Sequence, residues 1–83
     1  MRLSVRYFAS LREALGSGEA VDVERGLTLG GLRDWLIARD AVHAQALARG
    51  RALRVALNRS LADESASHAE GDEVAFFPPV TGG

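Results

Sequence analysis

Glu70-Gly71-Asp72-Glu73-Val74-Ala75-Phe76-Phe77-Pro78-Pro79-Val80-Thr81-Gly82-Gly83 is the stretch on which the reading of this 83-residue chain turns. Glu70-Gly71-Asp72 is a turn signal, and Glu73–Phe77 alternates Val74 and Phe76 with Ala75 and Phe77, the period of a half-buried strand. Pro78 and Pro79 then end sheet pairing, since neither carries an N–H and both favour an extended polyproline geometry. Gly82 and Gly83 lack a Cβ, so such a tail threads a narrow channel in which any side chain would clash. Its tip presents the α-carboxylate of Gly83, a group that is a poor electrophile and a poor nucleophile until activated, for example as an acyl-adenylate.

Upstream of this strand, period-two alternation recurs three times. Leu3, Val5 and Tyr7 share one face of an opening strand and Ser4, Arg6 and Phe8 the other. Val21 and Val23 point inward from Glu19–Glu24, and Leu53, Val55 and Leu57 alternate with Arg54 and Ala56, followed by a turn at Asn58-Arg59. Between them lie helical patterns. Ser10-Leu11-Arg12-Glu13 fits a capping box, with Leu11 and Leu15 on one side of a short helix stopped by Gly16. Thr28 is placed to cap a helix with the apolar stripe Leu29, Leu32, Trp35 and Leu36, in which Gly30 and Gly31 suggest close approach to the sheet. Asp40 caps a further stretch through Ala41–Arg49, closed by Gly50. Leu61–Asp72 reads as a polar loop. Strand, short helix, strand, helix region, strand, loop, strand is the order of an α+β domain with helices on one face of a mixed sheet, either a β-grasp or a ferredoxin-like arrangement. The expectation is a single domain over residues 1–83 with an extended C-terminal tail at 78–83.

Composition narrows the function classes. Ten arginines face 11 acidic residues for a net charge of −1, without the clustered basic excess of a nucleic-acid binder. No apolar run approaches the ~20 residues of a membrane span, and Met1-Arg2-Leu3-Ser4-Val5-Arg6 alternates where a signal peptide would be continuously apolar, so a cytoplasmic domain without membrane contact is expected. With no cysteine, thiolate metal sites, cysteine nucleophiles and side-chain persulfides are excluded. With no lysine, Schiff-base chemistry is excluded as well. His43 and His68 stand outside any metal-ligand spacing and read as surface or helix-face histidines, so no metal site is expected. Asp63, Glu64, Glu70, Asp72 and Glu73 lack the spacing of a calcium loop and read as solvated.

Face parity adds a surface. With Leu3, Val5, Tyr7, Val74 and Phe76 inward, Phe8 and Phe77 point outward, and Leu61 joins them at the entry to the polar loop. Outward aromatics beside the tail suggest an apolar docking patch for another protein.

The Glu70–Gly83 run resembles the C-terminal signature of the small subunit of molybdopterin synthase, the MoaD family. Val5-Arg6-Tyr7-Phe8-Ala9-Ser10-Leu11-Arg12-Glu13 resembles that family's first strand and helix, and Val55-Ala56-Leu57-Asn58 its third strand and turn. The resemblance implies a ubiquitin-like β-grasp fold and a sulfur-carrier role. A ubiquitin-activating-like adenylyltransferase would consume ATP to adenylate the Gly83 carboxylate, so that no cofactor is bound permanently. A sulfur donor such as a cysteine desulfurase or rhodanese-like protein would then convert the adenylate to a thiocarboxylate. The sulfur would pass to cyclic pyranopterin monophosphate inside a heterotetramer with the large subunit, which would supply the catalytic side chains. Carried over residue by residue, Phe8, Leu61 and Phe77 match the apolar contact with the large subunit, Pro78, Pro79, Val80 and Thr81 the inserted tail, and Gly82 and Gly83 its reactive end.

Two other roles share the Gly-Gly chemistry. One is the thiamine-pathway sulfur carrier, whose tails usually lack a Phe-Phe-Pro-Pro run. The other is a ubiquitin-like protein modifier, in which Gly83 forms an isopeptide bond with lysines of target proteins.

Overall fold

The computed structural model describes residues 1–79. In chain order the elements are β1 (Arg2–Tyr7), α1 (Ser10–Leu15), β2 (Gly18–Asp22), α2 (Leu29–Ile37), α3 (Ala41–Ala46), β3 (Arg54–Leu57), β4 (Ser60–Ala62) and β5 (Glu73–Phe77). The strands form one sheet in the order β2-β1-β5-β3-β4. β1 and β5 run parallel at its centre, with Val5 opposite Val74 and Tyr7 opposite Phe76, and the other neighbours pair antiparallel. The β-grasp arrangement has this parallel central pair; a ferredoxin-like sheet does not. Alternation decides the layers: Leu3, Val5, Tyr7, Val21, Val55, Val74 and Phe76 pack on Leu29, Leu32 and Leu36 of α2 and on Leu11, Ala46 and Leu47. Trp35 lies partly buried at the edge of this core.

Three local readings change. Ser10 does not cap α1, because β1 keeps its partner one residue further, with the Phe8 N–H donating to the Phe76 carbonyl at 3.2 Å. The chain therefore turns at Ala9, which holds φ 55° without a side-chain cap, and Ser10 already belongs to the helix. Gly30 approaches the segment after β4, not the sheet: its N–H donates to the Glu64 carbonyl at 2.8 Å, and a Cβ there would stand 3.0 Å from the Glu64 carboxylate. α3 starts as expected, with Asp40 accepting from the His43 N–H, but stops at Ala46. The carbonyls beyond it are taken by Arg33, only 3% exposed, which donates to Leu47, Ala48 and Arg51 at 2.9, 2.6 and 3.2 Å.

The segment expected as a polar loop holds a strand and a set of engaged carboxylates. Asn58 and Arg59, both at positive φ, form the two-residue turn that lays β4 against β3. Glu64 pairs with Arg33 at 2.8 Å and also with Arg49. Asp72 accepts from the Asn58 amide and the Ala69 N–H, and Glu70 accepts from the Arg2 N–H.

His43, read as a surface or helix-face histidine, lies on α3 but with its side chain only 12% exposed, between two carboxylates. Its Nε2 is 2.8 Å from Glu19 and its Nδ1 2.8 Å from Asp40. Glu19 also accepts from the Tyr7 hydroxyl and from Arg39, so the cluster ties α3 to β1 and β2. Burial opposes the imidazolium, but the bonds to Glu19 and Asp40 outweigh it and hold the His43 pKa above its ordinary value of 6.5. Burial also raises Glu19, and the bonds from His43, Tyr7 and Arg39 bring it below its ordinary value. A raised histidine contributes stability that is complete below its unfolded pKa and is lost as pH climbs through the folded one. The thermal midpoint is therefore expected to fall as pH rises above 6.5, and His43→Gln to flatten that fall. A wild-type midpoint that climbs with pH over this range would contradict the arrangement. His68 is half-buried, with its Nδ1 3.2 Å from the Met1 sulfur.

Candidate functional site

The face of the sheet away from the helices carries the side chains that alternation sends outward. At its centre Ala56 of β3 and Ala75 of β5 are register partners, and two methyl groups side by side leave a depression in the sheet. Around it stand Phe8, Leu61 and Phe77, and the resulting groove has a volume of about 490 Å³, with Arg6, Arg59 and Glu73 along its rim. Each wall has a local cause. Phe8 prolongs the parity of β1 because its N–H is still bonded to β5. The Asn58-Arg59 turn sets Leu61 opposite Ala56 and therefore on the same face. Phe77 follows the inward Phe76 by one residue. Phe8 and Leu61 stay 42% and 66% exposed, large apolar groups with water on one side.

Sequence parity placed Phe8 and Phe77 outward, with Leu61 added from the entry to the expected loop, and the structure brings all three to one groove. Pro78 and Pro79 continue directly from Phe77 and are half-buried. Val80, Thr81, Gly82 and Gly83 lie outside the described residues. Sequence reasoning missed the floor, although the outward parity of Ala56 against Val55 and Leu57 was there to be used. It also missed the charged rim, where Glu73 lies 3.8 Å from both Arg6 and Arg59. A second depression of about 650 Å³ lies between the start of β3 and the residues after β4. It has no aromatic wall, and its Glu64 is already committed to Arg33 and Arg49. Among the described residues no group of three or more His, Asp or Glu side chains is placed to hold a metal ion, and no helix is long and apolar enough to cross a membrane.

The lining of the groove is apolar at its floor and walls and charged only at its rim, and it brings no serine, histidine or lysine beside Glu73. A mixed five-stranded sheet with helices on one face, its central last strand running out beside an apolar groove, defines a ubiquitin-like β-grasp protein. The chain belongs to the ThiS family, which it matches over residues 5–83. It is 40% identical over 82 residues to the molybdopterin synthase sulfur carrier subunit of Haemophilus influenzae, covering 98% of this chain and 99% of that one. Among solved structures it resembles small archaeal modifier protein 1 of Haloferax volcanii, with a TM-score of 0.76 and 31% identity over 95% of this chain and 98% of the other. It also resembles a chain in the complex of subunits 1 and 2 of molybdopterin-converting factor from Helicobacter pylori, with a TM-score of 0.68 and 26% identity over the whole of both chains.

Proposed function

We propose that this chain is the sulfur carrier subunit of molybdopterin synthase and works in the cytoplasm through its C-terminal glycine. The observation that carries the reading is the continuity of groove and tail: Phe77 forms a wall of the groove, and Pro78 and Pro79 lead straight from it toward Gly83. A partner seated on Phe8, Leu61 and Phe77 therefore lies beside the point where β5 passes into Pro78 and Pro79.

The chemistry follows from what the chain lacks. Without cysteine it has no side-chain thiol on which to carry sulfur, which leaves the terminal carboxylate. An activating enzyme joins that carboxylate to the α-phosphate of ATP, releasing pyrophosphate. The outer sulfur of a persulfide on a cysteine desulfurase or rhodanese-like protein then attacks the acyl carbon and the bond to AMP breaks, leaving an acyl disulfide. A thiol from outside this cysteine-free chain cleaves its S–S bond, becoming a disulfide itself and freeing the thiocarboxylate. Its sulfur is softer and more nucleophilic than the oxygen it replaced. In the complex with the large subunit the tail delivers this sulfur to cyclic pyranopterin monophosphate, and the carboxylate is regenerated by water. Two small and two large subunits make up the proposed assembly. ATP is bound by the activating enzyme and not by this chain. With no lysine here, any amine required for the pterin steps comes from the large subunit.

Intact mass before and after incubation with ATP, the activating enzyme and a sulfur source tests the reading. Replacement of one oxygen by one sulfur, mapped to Gly83, is the expected result; an unchanged mass beside a competent control carrier would defeat it. The likeness to small archaeal modifier protein 1 supports a second role, in which the activated Gly83 is captured by a lysine amine of another protein. Covalent adducts of the chain in cell extract, absent without ATP, would reveal it.

A further inference from the structure

The rim of the groove differs in sign from the rest of the chain. The chain carries a net charge of −1, yet Arg6 and Arg59 on the rim face a single carboxylate, Glu73. Arg54 stands on the same face, opposite Phe77. Glu73 does not satisfy its neighbours. Arg6 Nη1 is 3.8 Å from one carboxylate oxygen and Arg59 Nε 3.8 Å from the other. Both separations exceed hydrogen-bond range, so the guanidinium N–H groups remain available to another acceptor.

Arg59 also occupies a place that its side chain disfavours. It is the second residue of the β3–β4 turn at φ 70°, where glycine is the usual occupant. Among the described residues the turn gains little from the arginine in return, since its side chain is 87% exposed and its ion pair is the loose one to Glu73. A residue that breaks the local rule with only so loose a contact among the described residues points to a role outside the fold.

We propose that Arg59, with Arg6, is a specificity contact of the groove: the partner protein that fills the space over Ala56 and Ala75 with an apolar side chain also brings a carboxylate onto these two guanidinium groups. This rests on the sulfur-carrier reading and adds to it the chemistry of the partner's surface. Covering the groove removes the water that solvates both arginines, and Glu73 neutralises only one of them. A buried, unmatched guanidinium is costly, whereas an Arg–carboxylate fork is the favoured pairing. Partners with a neutral or basic rim are thereby rejected.

The test is binding of the full chain to the large subunit of molybdopterin synthase from the same organism, at low and at physiological ionic strength. Arg59→Glu and Arg6→Glu are each expected to weaken binding by about tenfold or more, with much of the loss in the association rate at low salt. Arg25→Glu, at an exposed site before α2, makes the same change in net charge and should stay within about twofold of wild type. Arg59→Gly separates docking from folding, because glycine relieves the positive φ: it is expected to raise the thermal midpoint while weakening binding. Equal affinities for wild type, Arg59→Glu and Arg25→Glu would overturn the proposal and leave the sulfur-carrier reading standing. A wild-type chain that does not bind the large subunit at all would instead remove the reading itself.

Discussion

Appending one residue after Gly83 is expected to abolish thiocarboxylate formation, with no loss of affinity for the large subunit. The reactive group is the end of the main chain, so one more residue carries it forward by about 3.5 Å and puts an amide where the carboxylate must lie. Displacement of a reacting group by about 1 Å already costs on the order of a hundredfold, and an amide cannot be adenylated in its place. The groove formed by Phe8, Leu61 and Phe77 is untouched by the extension, so docking persists and activation alone fails. Removing Gly83 is expected to act in the same way by drawing the carboxylate back. Intact mass after incubation with ATP, the activating enzyme and a sulfur source gives the answer. An extended chain that gains sulfur without first being trimmed would sink the tail mechanism.

Adjacent phenylalanines in β5 are expected to fail in opposite ways. Phe76 is 1% exposed and central to the core, and truncating such a side chain to alanine costs about 3–5 kcal/mol. At ~0.05–0.15 kcal/mol per residue the whole domain holds only about 4–12 kcal/mol, so Phe76→Ala removes a large share of it and is expected to lower the thermal midpoint by roughly 12–40 °C. Phe77 projects from the other face into the groove. Phe77→Ala is expected to keep a near-native thermal midpoint while losing about 2 kcal/mol or more of binding to the large subunit, roughly thirtyfold in affinity. Thermal melts and titrations on the two proteins decide the matter. A Phe77→Ala protein that melts like Phe76→Ala would show that the strand faces are reversed.

These contrasts were open to sequence reading because strand parity is strict. Once Val74 and Phe76 are assigned inward, Ala75 and Phe77 have no other side to occupy, and the same holds for Phe8 after Tyr7. Helix starts at Thr28 and Asp40 were equally legible, since each cap satisfies a backbone donor three residues on. β4 was not, because a strand of three residues whose apolar Leu61 faces solvent carries almost no periodic signal. Its only marker was the Asn58-Arg59 turn, where arginine takes the place of the usual glycine. The role of the acidic residues was hidden for a different reason. Glu19 and Glu64 are engaged by His43 and Arg33 respectively, side chains 24 and 31 positions away in the chain. Only the folded topology brings them together. The Ala56–Ala75 floor likewise exists only once β3 and β5 are in register.

The position of β5 in the sheet bears on when the carrier becomes usable. β1 pairs with β2, and β3 pairs with β4, but the two pairs meet only through β5, which lies between β1 and β3. Two-stranded pieces are marginal on their own, so the sheet is incomplete until the strand synthesised last has been laid into its middle. That strand also leads into the glycines. A product cut short before β5 thus lacks the one strand that joins the two pairs, and with it the tail that follows.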